Sequence, residues 1–362
     1  LLLTPTTMPK TKSQARFKLL WRHTLSDYVT AIAWSPDGTW LAASSAAGEV
    51  VQYEVKTGKT TLLQGAQGES VDALTISTDG QFLAAGGQAG TVYIWRLEGS
   101  TATSIATLEH PRAWVDCLRW HPQHPELAFS FGCFVQVWDA ATQSVIATLN
   151  YESSSVLDLA WRPQGDRLSI SGHPNIKTWQ RQGWDDDPMV LDTGGASGAI
   201  AWSPKGTYLA SGNSDCSVLI WEEGNPRAWH LTDFPGKVRQ LAWSVPTDIG
   251  APLLASISGQ SVVVWTNDNT PLGWIPKVLD AHQDILTAIA FQPQSHLLAS
   301  AAKDGLLYLW DKGERLTQTL KAASAEWSCL AWSASGKAIA AGNSQGEVMV
   351  WTERVAAGKG FG

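Results

Sequence analysis

Aromatic residues recur along this chain at nearly constant intervals, in two ladders that run in phase. Each member of the first ladder closes a short apolar run, and successive members are 41 to 45 residues apart. The first ladder is Tyr53, Trp95, Trp138, Trp179, Trp221, Trp265, Trp310 and Trp351. The second is Trp34, Ile76, Trp120, Trp161, Trp202, Trp243, Phe291 and Trp332. Thirteen of the 20 Trp residues fall on these ladders, so most of the unusual Trp content is periodic and therefore structural.

Each period contains the same four pieces. An alternating run such as 29–34 ends in the second ladder, and a turn such as Ser203-Pro204-Lys205-Gly206 follows it. A Leu-Ala-Ser-like run, a Gly-bearing turn and the run that ends in the first ladder come next. A more variable fourth run, such as 144–149, completes the unit. Alternation with a period of two and turn signals every 8–12 residues predict strands, and no segment predicts a helix.

Four short antiparallel strands in about 40–45 residues are typical of one propeller blade. Eight such units predict an all-β fold, a single eight-bladed β-propeller. The last unit lacks a fourth strand, and residues 17–25 form a strand-like segment that precedes the first unit. We therefore predict that this N-terminal strand completes the last blade and removes the open sheet edge. The predicted organisation is a flexible segment over residues 1–15, the propeller over 16–352, and a flexible tail over 353–362.

These repeats resemble the WD40-repeat family over essentially residues 16–352. The Trp-Asp dipeptide stands at Trp138-Asp139 and Trp310-Asp311, and it has decayed elsewhere, for example to Trp95-Arg96. The seventh unit matches best. The resemblance implies that this unit holds the family's buried hydrogen-bond tetrad, formed by His282, Ser300, Asp304 and Trp310. WD40 propellers most often have seven blades, but eight complete motif sets indicate eight here. The family predicts fold far more specifically than biochemistry.

Charge and cysteine content limit the possible partners and environments. Lys and Arg number 26 against 33 Asp and Glu, a net charge of −7, which gives no sign of a basic field for nucleic acid. The four cysteines, Cys117, Cys133, Cys216 and Cys329, have no metal-ligand spacing and are interpreted as buried reduced thiols. We therefore expect a cytoplasmic protein, monomeric by itself, that binds neither nucleic acid nor membranes.

The start of the chain does not have the pattern of an intact signal peptide. Leu1-Leu2-Leu3 lacks a basic flank and a sustained apolar stretch, and no apolar run approaches the ~18 residues that cross a bilayer. Met8 is interpreted as a candidate natural start, with residues 1–7 a cloning remnant.

Several residue groups could suggest a catalytic or metal site, but each has a simpler structural interpretation. His282, Ser300 and Asp304 have the residue types of a catalytic triad, but Ser300 lies inside a strand pattern and the tetrad explains all three. Asp185-Asp186-Asp187 could clamp a divalent ion, although a solvated loop before Pro188 is the simpler interpretation. The remaining histidines share no ligand spacing. No cofactor, metal or catalytic residue is predicted.

Seven tryptophans lie off the ladders. Trp21 is expected to pack in the closing strand, and Trp40, Trp229 and Trp274 are expected to fill spaces between blades. Trp114 and Trp327 stand where the chain enters an innermost strand. In the WD40 family these loops form the upper rim, which commonly docks partners, and aromatic residues beside Arg and Lys are typical of binding hot spots. The predicted docking set is Tyr28, Arg112, Trp114, Lys237, Arg239 and Trp327, with Asp72, Asp116 and Glu326 as acidic counterparts.

The sequence pattern is compatible with three functions. The preferred hypothesis is a non-catalytic scaffold that docks partner proteins on the rim and loops of the propeller. The alternative is an eight-bladed enzyme with a quinone-type cofactor at the central channel, since Glu54-Val-Lys-Thr-Gly-Lys59 is faintly similar to the repeats of such dehydrogenases. A third and weaker option is recognition of a nucleic acid or a modified peptide at the channel mouth. The sequence contains no stripe of basic residues that would favour it.

Overall fold

The computed structural model describes residues 16–99, 101–245, 251–267, 273–321 and 325–354, and the regular structure within these ranges is entirely β. The strands form eight four-stranded antiparallel sheets. The innermost strands contact one another in sequence around a closed ring. The predicted eight-bladed propeller is therefore confirmed.

The blades follow the chain from the inner to the outer strand. Blades 1 to 4 are β2 (Val29–Trp34), β3 (Trp40–Ser45), β4 (Val50–Glu54) and β5 (Thr60–Gln64); β6 (Val71–Ile76), β7 (Phe82–Gly87), β8 (Thr91–Glu98) and β9 (Thr101–Glu109); β10 (Leu118–Trp120), β11 (Glu126–Phe131), β12 (Phe134–Asp139) and β13 (Ser144–Asn150); β14 (Asp158–Trp161), β15 (Arg167–Ser171), β16 (Asn175–Gln180) and β17 (Met189–Asp192).

Blades 5 to 8 repeat this order, except that the outer strand of blade 8 comes from the start of the chain. They are β18 (Ser197–Trp202), β19 (Tyr208–Asn213), β20 (Val218–Glu222) and β21 (Trp229–Leu231); β22 (Gln240–Trp243), β23 (Leu254–Ser258), β24 (Ser261–Asn267) and β25 (Trp274–Leu279); β26 (Leu286–Phe291), β27 (Leu298–Ala302), β28 (Leu306–Asp311) and β29 (Arg315–Lys321); β30 (Trp327–Trp332), β31 (Ala338–Asn343), β32 (Glu347–Glu353) and β1 (Phe17–Thr24).

The closure of the ring is the predicted one. β1 pairs antiparallel with β32, from Phe17 opposite Glu353 to Thr24 opposite Glu347. Ion pairs strengthen both ends of this pairing, Arg16 with Glu353 at 2.8 Å and Arg22 with Glu347 at 3.1 Å. β32 thus runs one residue past the predicted end of the propeller. The predicted flexible segment 1–15 and residues 355–362 of the predicted tail, 353–362, lie outside the described residues.

The second ladder joins neighbouring blades through its indole groups. Trp34 Nε1 donates to the carbonyl oxygen of Ala331 in blade 8 at 3.0 Å, and Trp243 Nε1 donates to Ala201 in blade 5 at 3.0 Å. Trp120, Trp161 and Trp332 make the equivalent bond to the preceding blade. Trp202 also reaches back, to the Ser169 hydroxyl at 3.1 Å. The side chain at this position must both pack against the neighbouring blade and donate a hydrogen bond to it. Trp recurs here because its indole combines a large apolar ring with an N–H donor.

The hydrophobic core lies between the blades, in clusters that each join adjacent sheets. Seams between blades 1 and 2 and between blades 5 and 6 contain off-ladder tryptophans: Trp40 packs against the cluster around Trp95, and Trp274 packs on Trp243 at a ring separation of 5.5 Å. Trp229 contacts Tyr208 in the same seam. These contacts agree with the expected filling role.

Candidate functional site

The upper face of the ring is the face at which each innermost strand begins. In blades 1, 2, 5, 7 and 8 the ladder shifts register between the first and third residues of that strand. Such a bulge leaves the second residue outside the regular pairing and re-aims its side chain. This second residue is Gly198 in blade 5, Thr287 in blade 7 and Ser328 in blade 8, and all three line the mouth of the central channel.

The channel mouth is a cavity of about 620 Å³ on this face. Its wall combines the predicted rim residues Tyr28 and Arg239 with the acidic Asp116. It also contains Arg119, Asp158 and Lys303, which the sequence analysis did not select. Asp158 occupies a position where most other units have Ala. This departure from the repeat is the sequence signal that could have identified Asp158 as a residue of the channel mouth.

Charged groups around the mouth are partly paired with one another. Arg119 binds Asp158 at 2.9 Å, and the second oxygen of Asp158 accepts the backbone N–H of Ile200 in the next blade at 3.1 Å. Lys303 pairs with Glu326 at 3.2 Å. Arg239 makes no ion pair within the described ranges. The mouth therefore offers this guanidinium to a ligand, whereas the Asp158 carboxylate is already engaged.

The carboxyl group of Asp116 lies in a less polar environment than a surface carboxylate. Partial burial, with a smaller contribution from the nearby negative charge of Asp72, raises the pKa of Asp116. Burial also raises the pKa of the Tyr28 hydroxyl. Burial thus makes the charged form of each group less favourable than it would be on an open surface.

Two of the predicted aromatic residues are exposed on the upper face. Trp114 is 60% exposed in the loop that leads to β10, and Tyr28 is 40% exposed just before β2. Arg112 lies in the same loop as Trp114 and has a φ of 73°, in the left-handed region. Lys237 is exposed ahead of β22. Trp114, Arg112 and Lys237 are on the rim but do not line the cavity, so the structure brings together only Tyr28 and Arg239.

Trp327 does not belong to this exposed surface. It is 1% exposed and packs edge-on against Trp351 at 5.8 Å. Trp327 is the first residue of β30 and corresponds to the buried Val29 and Val71, whereas Trp114 precedes that position by one residue. A shift of one residue along an extended chain turns the side chain to the opposite side. The prediction that both tryptophans belong to the docking set is therefore wrong about the exposure of Trp327.

The four side chains of the implied tetrad form a continuous chain of hydrogen bonds in blade 7. His282 Nδ1 lies 2.9 Å from Asp304 Oδ2, and His282 Nε2 lies 2.8 Å from Ser300 Oγ. Trp310 Nε1 donates to Ser300 Oγ at 2.9 Å. Ser300 and His282 are buried, and burial lowers the pKa of His282 despite the opposing effect of Asp304. The geometry is that of a structural brace, with no access for a substrate at Ser300.

The other groups with possible chemistry are dispersed or solvated. Asp185, Asp186 and Asp187 are exposed, and Trp184 before them packs on Trp161. Among the described residues no three His, Cys, Asp or Glu side chains are placed to hold a metal ion. Cys117 is a buried free thiol, and its burial raises its pKa to about 12. No helix in the described ranges is long and apolar enough to cross a membrane.

Sequence comparisons agree with this architecture. The family model "WD domain, G-beta repeat" matches residues 17–53, 58–96, 194–222, 273–311 and 314–352, just over half of the chain. The chain belongs to the WD40-repeat family. In this WD40 propeller the three inner strands of blades 3, 4 and 6 lie outside the matched segments.

Curated relatives of this WD40 protein match it over part of their length. Protein transport protein sec13 of Aspergillus clavatus is 31% identical over 196 residues, which are 44% of this chain and 65% of that protein. Nuclear distribution protein nudF of Aspergillus flavus is 30% identical over 118 residues, 31% of this chain and 24% of that protein. Protein HIR1 of Cryptococcus neoformans is 27% identical over 188 residues, 44% of this chain and 21% of that protein. In each case the match spans less than two thirds of the relative.

Proposed function

We propose that this WD40 propeller is a non-catalytic scaffold that docks one or more partner proteins on its upper rim. The observation that carries the proposal is the exposure of Trp114 on the rim and of Tyr28 at the channel mouth, which Arg239 also lines without an ion pair in the described ranges. Large aromatic side chains and arginine supply most of the energy at protein interfaces. Asp116, which lines the mouth near Asp72, and Arg239 give the surface both signs of charge, which suits a protein more than a polyanion.

The names of the relatives are compatible with this role, since one refers to protein transport and another to nuclear distribution. The proposal includes a cytoplasmic location, a monomeric propeller and no binding to nucleic acid or membranes. The quinone-enzyme alternative gains no support, because two of the carboxylate and amide side chains at the channel mouth, Asp158 and Gln240, are engaged internally. Asp158 holds Arg119 and the Ile200 N–H, and Gln240 Oε1 accepts the Ile289 N–H at 2.9 Å.

Affinity purification from the native cell with quantitative mass spectrometry tests the proposal. The bait is compared with the double variant Tyr28→Ala/Trp114→Ala, and with the control Leu62→Ala, an exposed apolar residue on the outer strand of blade 1. We expect the specific partners to fall by roughly tenfold or more with the double variant, because hot-spot truncation costs about 2 kcal/mol or more. Equal recovery with all three baits would refute docking at this rim. A steep loss of binding with salt would instead indicate phosphate contacts.

A further inference from the structure

A second recess lies at the perimeter of the ring, between blades 4 and 5, away from the upper rim. Its volume is about 600 Å³. Leu209, Leu219 and Trp221 of blade 5 form much of its floor, and β17 of blade 4 forms its outer edge. Trp202, the last residue of the innermost strand β18, lines the recess. The recess therefore lies toward the face opposite the channel mouth, which is where the innermost strands begin. We call this recess the blade 4–5 groove.

The groove is open because the outer strand of blade 5 is short. β21 has three residues and pairs with β20 only as far as Ile220 opposite Trp229. In blade 6, by contrast, β25 continues until Trp274 lies opposite Asn267, two residues beyond the ladder Trp. There Trp274 covers the seam and contacts Tyr208 and Trp243.

Other seams are also covered by an aromatic residue of the chain itself. Trp21 stacks on Tyr53 at the seam between blades 8 and 1, with ring centroids 5.4 Å apart. Trp184 packs edge-on against Trp161 at the seam between blades 3 and 4. At the blade 4–5 groove the corresponding chain is the turn around Gly224, Asn225 and Pro226, which lines the recess without filling it. The fold therefore leaves a place for an apolar group at this seam.

The edge of the groove exposes further apolar surface. Val190 on β17 is 53% exposed, and its neighbour Met189 is also exposed. Both line the groove, so they extend the apolar floor outward rather than standing as isolated surface residues. A continuous apolar patch that reaches from an open recess to the surface is typical of a binding site.

The charged residues around the groove leave a negative excess. Arg167 pairs with Glu223 at 3.0 Å, and Arg162 pairs with Asp166 at 2.9 Å, so these four charges compensate one another. Asp192 and Glu222 remain. Asp192 accepts the backbone N–H of Gly194, and the Glu222 carboxylate has no ion pair within the described ranges. Arg227, in the adjacent turn, is exposed and does not line the groove.

We propose that the blade 4–5 groove docks a short extended segment of a partner protein that carries large apolar side chains flanked by Lys or Arg. The recess has room for two or three apolar side chains, and the two uncompensated carboxylates favour basic neighbours. In an extended segment, residues i and i+2 face the same side, so apolar residues at these two positions enter the groove together, and basic residues that flank them can reach the carboxylates at its edge. This site is independent of the upper rim.

Peptide arrays with purified wild-type protein test the specificity. One array carries nonapeptides in which apolar residues at positions i and i+2 are flanked on both sides by Lys or Arg. Two matched arrays replace the basic residues by Glu, or the apolar residues by Ser. We expect selective binding to the first array, and the strongest peptide is then labelled with fluorescein and titrated by fluorescence anisotropy.

Two pairs of variants locate the binding. Val190 and Val278 occupy the same position on the outer strands of blades 4 and 6, and Val278 is similarly exposed at 58%. We expect Val190→Asn to weaken binding of the labelled peptide about tenfold, and Val278→Asn to leave it unchanged. Glu222 and Glu54 both follow a first-ladder residue. Glu222→Lys is expected to weaken binding several-fold, with Glu54→Lys as its control.

Circular dichroism and unfolding midpoints verify that each variant is folded. The proposal is overturned if the three arrays bind equally, or if the variants in each pair behave alike. It is also overturned if the wild-type protein self-associates in sedimentation velocity and Val190→Asn abolishes that association, because the occupant would then be a second copy of the chain.

Discussion

Removing the Ser300 hydroxyl is expected to destabilise the propeller more than removing a comparable serine in the next blade. Ser300 Oγ accepts from Trp310 Nε1 at 2.9 Å and lies 2.8 Å from His282 Nε2. Because His282 Nδ1 faces the Asp304 carboxylate, we assign the ring proton to Nδ1, and Ser300 then donates to Nε2. Ser300→Ala therefore leaves a buried donor and a buried acceptor unsatisfied.

The expected magnitude follows from the number of groups left without a partner. Each buried polar group that loses its hydrogen bond costs about 1–3 kcal/mol, so Ser300→Ala, which leaves two such groups, should lower the free energy of unfolding by about 2–6 kcal/mol. Ser256 in blade 6 is the matched control. It accepts from Trp265 Nε1 at 3.1 Å, and its own bond to the Val263 carbonyl is long, at 3.3 Å. Ser256→Ala should therefore cost only about 1–2 kcal/mol.

Urea unfolding followed by tryptophan fluorescence measures both variants. The combination of Ser300→Ala with Trp310→Phe should be less destabilising than the sum of the two single changes, because both remove the same hydrogen bond. If Ser300→Ala and Ser256→Ala shift the midpoint equally, or if the double variant is strictly additive, the tetrad does not brace blade 7 as argued.

Two further predictions concern the ring closure and the response to pH. Trp21→Ala removes the stack on Tyr53 and the indole bond to the Val55 carbonyl at 2.8 Å, so the free energy of unfolding should fall by about 2–3 kcal/mol, whereas Trp114→Ala should change it by less than about 0.5 kcal/mol. Burial lowers the pKa of His282 below its ordinary value of 6.5, so the unfolded chain takes up a proton more readily, and stability should decline as the pH falls below about 6.5. Urea midpoints at pH 7.5 and pH 5.5 should differ less in His282→Gln than in the wild type; an unchanged difference would contradict this assignment.

The residues predicted to dock a partner show which placements the sequence indicates and which it does not. Tyr28 and Arg239 lie at the channel mouth because both belong to the start of an innermost strand, which the repeat locates well. That Trp327 points into the core was missed: Trp327 stands five residues before Trp332 and Trp114 stands six before Trp120, and a difference of one residue decides the side of a strand. The pairing of Arg119 with Asp158 was equally hidden, because the two residues are brought together only by adjacent blades.

The amino-acid sequence alone determined the number of blades, their strand order and the closure by residues 17–24. These follow from local patterns, namely alternation, turn residues and the ladder spacing, and a repeated unit must bury its two faces against neighbours. Only the tertiary structure decided the exposure of individual tryptophans and the existence of the blade 4–5 groove. The groove depends on where β21 ends and on which aromatic ring reaches across each seam, and such distances between separate blades are not encoded in the spacing of any single repeat.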